Sequence, residues 1–288
     1  MTNVPKVGII VLNYNGDNCL SSCLSSLDRL TYPNKEIIVV DNGSSDDSFF
    51  SAEASFPQFT FVRNGKNEGF AKGMNIGMRL AFLHNADWCM LFNYDAEIDV
   101  QALSFLMTVA QKNPRAGLLS PVIYEKGSNH LWFGKGRIEF LRMRATHEKP
   151  SSEELASENY RSEFLTGCSL LVKKELALAI GLFDEQFFLY YEDADYSLRS
   201  TQAGFENCVV PQARVWHSEE SKTSPQKTYF LVYSGLLFFK KHTPFLLQPY
   251  MALYVTIRMV KNFLDRVFGR GNTAEEVHRA YKQFFYEH

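Results

Sequence analysis

A chain of 288 residues with 45% hydrophobic content can build a substantial core, as one large α/β domain or one domain with an appendage. A formal net charge of −2 with interleaved signs offers no basic footprint, which excludes nucleic acid as a partner. Five cysteines without a CxxC read as reduced thiols of the cytoplasm, and the opening MTNVPKVGII lacks the basic start and cleavage site of a signal peptide.

Lys6 to Asn13 is an almost unbroken β-branched run, the pattern of a strand buried on both faces of a parallel sheet. The turn Asn15-Gly16-Asp17 ends it. A helix with apolar positions at Leu20, Cys23, Leu24 and Leu27 follows, and Glu36 to Val40 is the second strand, so the chain opens with a right-handed β-α-β unit. Cys19 and Cys23, at i,i+4, read as a packed helix face. Asp41 stands at the C-terminal end of the second strand, where open α/β sheets bind ligands and where a carboxylate can accept from a pyrimidine N3–H or a ribose hydroxyl.

Phe59 to Arg63 is the third strand, Asn64 to Asn67 its loop. The helix that follows carries Gly69, Gly73 and Gly77 at intervals of four, which places them on one face for close approach to the sheet or a ligand; this is not a GxGxxG fingerprint. Trp88 to Phe92 is a further buried strand. It ends in Asn93-Tyr94-Asp95, where an acid at a strand end supplies a hard oxygen ligand for Mg²⁺ or Mn²⁺. A helix is expected over 100–111, strands over 118–124, 164–172 and 208–216, a segment of strand or loop character over 130–144, and a solvated connection over 149–161.

Phe187 to Arg199 reads FFLYYEDADYSLR: four aromatics in five residues, then Glu192, Asp193 and Asp195, then Arg199. Rings beside clustered acids suit a sugar and a proton acceptor. The plainer reading is an acid-rich first helical turn, favoured by the helix dipole, with Asp195 and Arg199 paired on its surface.

The segments VGIIVLNYNG, EIIVVDNGSSDDS, NEGFAKGMNIG, MLFNYDAEI, FLTGCSLLV, FDEQFFLYYEDADYSLR and VWHSEES occur in the order found in family 2 inverting glycosyltransferases, and the chain most resembles their rhamnosyltransferase branch over residues 6–222. The resemblance implies a GT-A fold: α/β, with a mostly parallel central sheet flanked by helices. It implies a catalytic domain over 1–222 and a helical extension over 223–288. It also implies that Asn13, Asp41, Asn67, Gly69 and Asn93 serve the nucleotide, that Asp95 and His217 face the metal or diphosphate, and that Asp193, beside Glu192, is the general base. Two features depart from the family pattern. Asn93-Tyr94-Asp95 has one charged ligand where DxD has two, and the place of an Arg-Asn pair after the histidine is taken by Tyr233-Ser234, leaving Lys222, Lys227 or an arginine elsewhere to meet the diphosphate.

The implied partners are a dTDP- or UDP-linked sugar donor and a saccharide or lipid-linked acceptor, with Mg²⁺ or Mn²⁺. Nucleotidyl transfer to a sugar phosphate and a non-catalytic sugar-binding subunit are the alternatives. Beyond Pro225 the chain turns to aromatic helices. The apolar stretch 245–260 is shorter than the ~20 residues that span a bilayer, and nearby Lys240, Lys241, Arg258, Lys261, Arg266 and Arg270 suit a peripheral contact at the inner membrane face. Packing against the catalytic domain or in a homodimer is the alternative.

Overall fold

The structure, a computed structural model, describes residues 4–17, 19–218 and 224–287. In its first half, apolar runs, β-branched in β1 and β2, make the strands and the stretches between them the crossover helices: β1 (Val7–Asn13), α1 (Leu20–Asp28), β2 (Lys35–Asp41), α2 (Ser48–Ser55), β3 (Thr60–Arg63), α3 (Phe70–Leu83) and β4 (Trp88–Asn93). The middle is more irregular: β5 (Ala96–Ile98), α4 (Ala102–Lys112), β6 (Ala116–Glu125), β7 (Leu131–Phe133), β8 (Lys135–Glu139), β9 (Arg144–Glu148), α5 (Ser152–Ala156) and β10 (Tyr160–Arg161). Then come β11 (Ser169–Lys173), α6 (Lys174–Ile180), α7 (Glu192–Gln202), β12 (Glu206–His217), α8 (Pro225–His242), α9 (Gln248–Val267) and α10 (Ala274–Glu287).

The strands form one mixed, mostly parallel sheet in the order β10-β12-β6-β11-β4-β1-β2-β3, with β5 paired to β12 and β7 to β6. β11 is antiparallel to both its neighbours, while β12 is parallel to β6. Two reversals restore direction, so β1, β2, β4, β6 and β12 all end on one edge, and the N-terminal end of β11 meets them there. The fold class expected from the family resemblance is the one observed.

Glycine lets α3 lie close to this sheet. A Cβ on Gly73 would fall 2.6 Å from Leu12 and one on Gly77 2.3 Å from Ile10, both on β1. Gly69 does not share that face. It precedes α3 with φ +84°, and a Cβ there would meet the Phe188 backbone oxygen at 2.6 Å. Cys23 is buried, but Cys19 sits at the helix N-cap and only half so. The strand expected over 164–172 begins at Ser169; the residues before it form a loop. The connection 149–161 is ordered by a capping box, with Ser151 Oγ accepting from the Glu154 N–H at 3.1 Å and Glu154 reaching back to the Ser151 N–H at 2.7 Å. It ends in edge strand β10.

Candidate active site

Three groups of side chains lie along the common strand edge. At the ends of β1 and β2, Asp41 is fully buried. Its Oδ1 accepts from Asn13 Nδ2 at 2.9 Å, its Oδ2 accepts from the Ser44 N–H at 3.1 Å, and Arg63 Nε stands 3.4 Å from Oδ2. Ser44 and Arg63, with Gly43, Asn64 and Gly65, line a cleft of about 360 Å³. Asp41 thus lies behind the cleft wall and orients two groups that face it. Gly43 is required in this turn, because its φ is +77° and a Cβ would fall 2.6 Å from the Lys66 backbone. Asn67 and Gly69 border the same loop: Asn67 Oδ1 accepts from Asn42 Nδ2 and from the Gly69 N–H, both at 2.9 Å.

The second group is at the end of β4. The turn Tyr94-Asp95 leads straight into β5, and the pairing of Ala96 with His217 brings His217 Nε2 to 3.1 Å from Asp95 Oδ1. His217 is buried and its Nδ1 makes no hydrogen bond. Burial alone would lower the imidazole pKa, but the Cys168 sulfur and the Asp95 carboxylate beside it raise it to about 11. These neighbours favour the protonated imidazole.

The donor set suits a divalent cation. Among the described residues no group of three or more His, Cys, Asp or Glu converges on one point, and Mg²⁺ sites at phosphates commonly use only one or two protein ligands, with phosphate oxygens and water completing the octahedron. Neighbouring ligands about 2.1 Å from an octahedral ion stand about 3.0 Å apart. The observed Asp95–His217 separation is 3.1 Å. Ligation through the imidazole would release its proton.

The third group opens α7. Asp193 is half-buried; its Oδ2 accepts from the Gly167 N–H at 2.9 Å and its Oδ1 from the Ala194 N–H at 2.7 Å. Burial raises its pKa; those two amides and His147 oppose the rise only in part. Glu192 is buried with Oε2 unpartnered, and desolvation together with the Asp193 charge pushes its pKa well up. Of the two adjacent carboxyls, Glu192 is pushed further toward its protonated form, while the two N–H donors on Asp193 favour its charge.

Asp195 belongs elsewhere. It is fully buried, so its pair with Arg199 at 2.8 Å is not on the surface as the sequence suggests. Lys241 Nζ at 2.8 Å and His242 Nε2 at 2.7 Å approach its other oxygen. Despite burial, these partners hold its pKa at about 2.

A short loop joins the second and third groups. The Gly167 N–H holds Asp193, the Cys168 carbonyl accepts from the Asn93 N–H at 3.0 Å, and the Cys168 sulfur flanks His217. A Cβ on Gly167 would come within 3.0 Å of the Phe70 ring. Sequence reasoning quoted this loop only as part of a strand, and it missed Ser44, Arg63, Trp132 and His147 altogether. Tyr233 and Ser234 are spent on structure, Tyr233 Oη with Glu287 and Ser234 Oγ donating to the Leu189 carbonyl at 2.7 Å. Lys227 lies in the first turn of α8, and Lys222 lies outside the described residues.

The strand order, the cleft at β2 and β3 and the paired acidic centres define the nucleotide-diphosphosugar transferase architecture of the GT-A type. Among the solved structures that share it are GalNAc-T7 with UDP, GalNAc and Mn²⁺ (TM-score 0.68, 18% identity, 83% of this chain and 48% of that chain) and the mannosyltransferase PcManGT from Pyrobaculum calidifontis with GDP-Man and Mn²⁺ (TM-score 0.62, 16% identity, 97% and 74%). This chain thus spans about half of the first. The family model of glycosyl transferase family 2 matches residues 8–181, and the chain belongs to that family. Among its relatives are the N-acetylglucosaminyl-diphospho-decaprenol L-rhamnosyltransferase of Mycobacterium tuberculosis, 26% identical over 77% of this chain and 78% of the relative. The dTDP-rhamnosyl transferase RfbF of Shigella flexneri is 24% identical, over 83% and 82%.

Proposed function

We propose that the chain is a metal-dependent inverting glycosyltransferase that moves rhamnose from dTDP-rhamnose to a saccharide or lipid-linked acceptor of the cell surface. The observation that carries this reading is the loop from Thr166 to Cys168, which ties a base, Asp193, to a cation-binding pair, Asp95 and His217, without merging them. Inversion needs that division. Asp193 takes the proton of the acceptor hydroxyl, the freed oxygen attacks the anomeric carbon, and the bond from that carbon to the diphosphate breaks on the opposite face. Glu192, protonated, adds no second charge to repel the acceptor oxygen. Asp95 and His217 would hold Mg²⁺ or Mn²⁺, which when bound supplies charge neutralisation for the departing diphosphate. Asp41, through Ser44 and Arg63, shapes the nucleoside cleft. The names of the two relatives at 26% and 24% identity favour rhamnose and dTDP over other donors.

Incubation with dTDP-rhamnose and a set of UDP-sugars, with Mn²⁺ or Mg²⁺, should release nucleoside diphosphate from dTDP-rhamnose first. Release of pyrophosphate would instead mean nucleotidyl transfer, and silence with every donor a non-catalytic sugar-binding subunit. Asp95→Ala should abolish the stimulation by metal while the protein stays folded, since the residue sits in a turn outside the core; unchanged metal dependence would remove Asp95 from the site.

The C-terminal helices bear on partners. Among the described residues no helix is long and apolar enough to cross a membrane. Three of the six bases expected to attract anionic lipid are ion-paired, Arg266 with Glu275, Lys261 with Asp265, and Lys241 with Asp184 and Asp195, while Lys240, Arg258 and Arg270 stand over the rings of Phe284, Tyr254 and Phe268. The exposed face of α9 is apolar instead, and we read it as the contact with a second copy of the chain.

A further inference from the structure

Trp132 is the extra residue of a β-bulge. On β6 Ile123 and Tyr124 are consecutive, yet they pair with Phe133 and Leu131 of β7, so Trp132 has no partner across the ladder. Bulges of this kind re-aim a side chain beside a site. Here the half-buried indole is turned between two imidazoles. Its centroid is 4.7 Å from that of His217, the Asp95 partner, and 4.8 Å from that of His147 on β9, both edge to face. His147 Nδ1 lies 3.2 Å from the Trp132 carbonyl oxygen, a contact that the tautomer protonated at Nδ1 satisfies by donating. His147 is also a charge neighbour of Asp193. A row of rings, His217, Trp132 and His147, thus starts at the cation-binding pair.

The sheet says which substrate lies on this row. From β3 inward the strands bring, in order, the nucleoside cleft, Asp95 at the end of β4, the Gly167 loop before β11, and then β6 with Trp132 beside it on β7. Because β5 pairs with β12, the Asp95–His217 pair reaches from the end of β4 to β12, and Trp132 packs against its β12 end, the end away from the cleft, which is the acceptor side of a donor laid from the cleft across Asp95. We propose that Trp132 and His147 form the acceptor subsite. A pyranose ring lies with its C–H face on the indole, where an aromatic plane suits an amphipathic ring, and turns one hydroxyl toward Asp193. The ligand class is a neutral hexopyranoside, free or as the terminal sugar of a longer acceptor. This rests on the glycosyltransferase reading above.

The test separates the two. Methyl hexopyranosides serve as acceptor probes by saturation-transfer NMR on the full chain, and dTDP binding is measured by calorimetry, so neither readout needs turnover. Trp132→Ala should weaken methyl pyranoside binding roughly threefold to tenfold, Trp132→Phe should keep most of it, and His147→Ala, a change at an exposed position, should weaken it without altering thermal unfolding. All three should bind dTDP as the parent does. Loss of dTDP affinity in Trp132→Phe or His147→Ala would place the rings on the donor side and overturn the proposal. So would a parent that binds no pyranoside, or an His147→Ala protein that binds as the parent does. A parent that binds pyranosides through Trp132 yet releases no nucleoside diphosphate from any donor would instead sink the transferase reading and leave the subsite standing.

Discussion

Asp193 and Asp195 stand two residues apart in one helical turn and differ in everything that decides a carboxylate's use. Asp195 is held by two cationic side chains, Arg199 and Lys241, and by the His242 imidazole. Asp193 has two backbone donors and a half-open face. Its replacement by Asn keeps one oxygen for the Gly167 N–H and removes the base, so Asp193→Asn should bind dTDP normally while kcat falls by about 10²–10⁴; a mutant within threefold of the parent would exclude this residue as the base. The pH profile follows from the same environment. Because burial raises the Asp193 pKa, the charged base is present only above that raised value. The acid limb of kcat/KM should therefore lie above the ordinary carboxylate range of about 4, and a limb at or below it would show that another group takes the proton. Two consecutive tyrosines before this turn, Tyr190 at φ +68° and Tyr191 at φ +67°, hold left-handed backbone that costs about 1–3 kcal/mol each. That strain sets the direction in which α7 presents its first acids.

At the scale of elements, Asp195 is the clamp between α7 and α8. Arg199 also donates to the carbonyls of Ile180 and Leu182, both at 2.9 Å, so one buried carboxylate joins the end of α6, the body of α7 and the last turn of α8. Asp195→Ala removes a buried carboxylate and leaves the half-buried Arg199 without its anion, which should cost about 3 kcal/mol, the low end for a broken buried pair because Lys241 can turn to water, read as a fall in the midpoint of chemical unfolding; a change under 1 kcal/mol would mean that solvent replaces the carboxylate. The folded-state pKa of about 2 lies below the unfolded value. The clamp's contribution is thus complete above about pH 4 and is lost as pH falls toward 2. β1 and β2 were legible because each is short, β-branched and mostly buried, and β4 because its apolar run Trp88–Phe92 is buried throughout; the edge acids Asp41 and Asp95 follow from where those strands end. The hairpin of β8 and β9, the bulge at Trp132 and the Gly167 loop were not. They owe their shape to long-range partners, such as Ser162 Oγ on the Gly136 N–H at 2.8 Å and Tyr191 Oη on the Ala145 N–H at 3.4 Å, that no local pattern announces. The surface pairing expected of Asp195 and Arg199 fails for the same reason, since only α8, distant in sequence, buries it.

For the whole molecule, the open question is what covers α9. Only Val255 and Asn262 of its residues are buried, while Tyr250, Leu253, Ile257, Val260, Leu264 and Val267 stand 40–61% exposed. Their spacing alternates three and four, the seam of a two-helix coiled coil. With Phe263 and Phe268 also exposed, α9 presents an apolar stripe along its length, the kind of face that marks an interaction site. Lys241, Lys261 and Arg266 are ion-paired, which weakens the pull of anionic lipid, so a matching seam on a second copy is the occupant that best fits the heptad spacing. Light scattering at micromolar concentration should then report a dimer. Leu253→Glu with Leu264→Glu should give a folded monomer that still binds dTDP, because the cleft of Gly43, Ser44 and Arg63 lies at the ends of β2 and β3, remote in the sheet order from this helix. A parent that is monomeric, or that sediments with phosphatidylglycerol vesicles through the same two leucines, would show that the face meets a bilayer and not its twin.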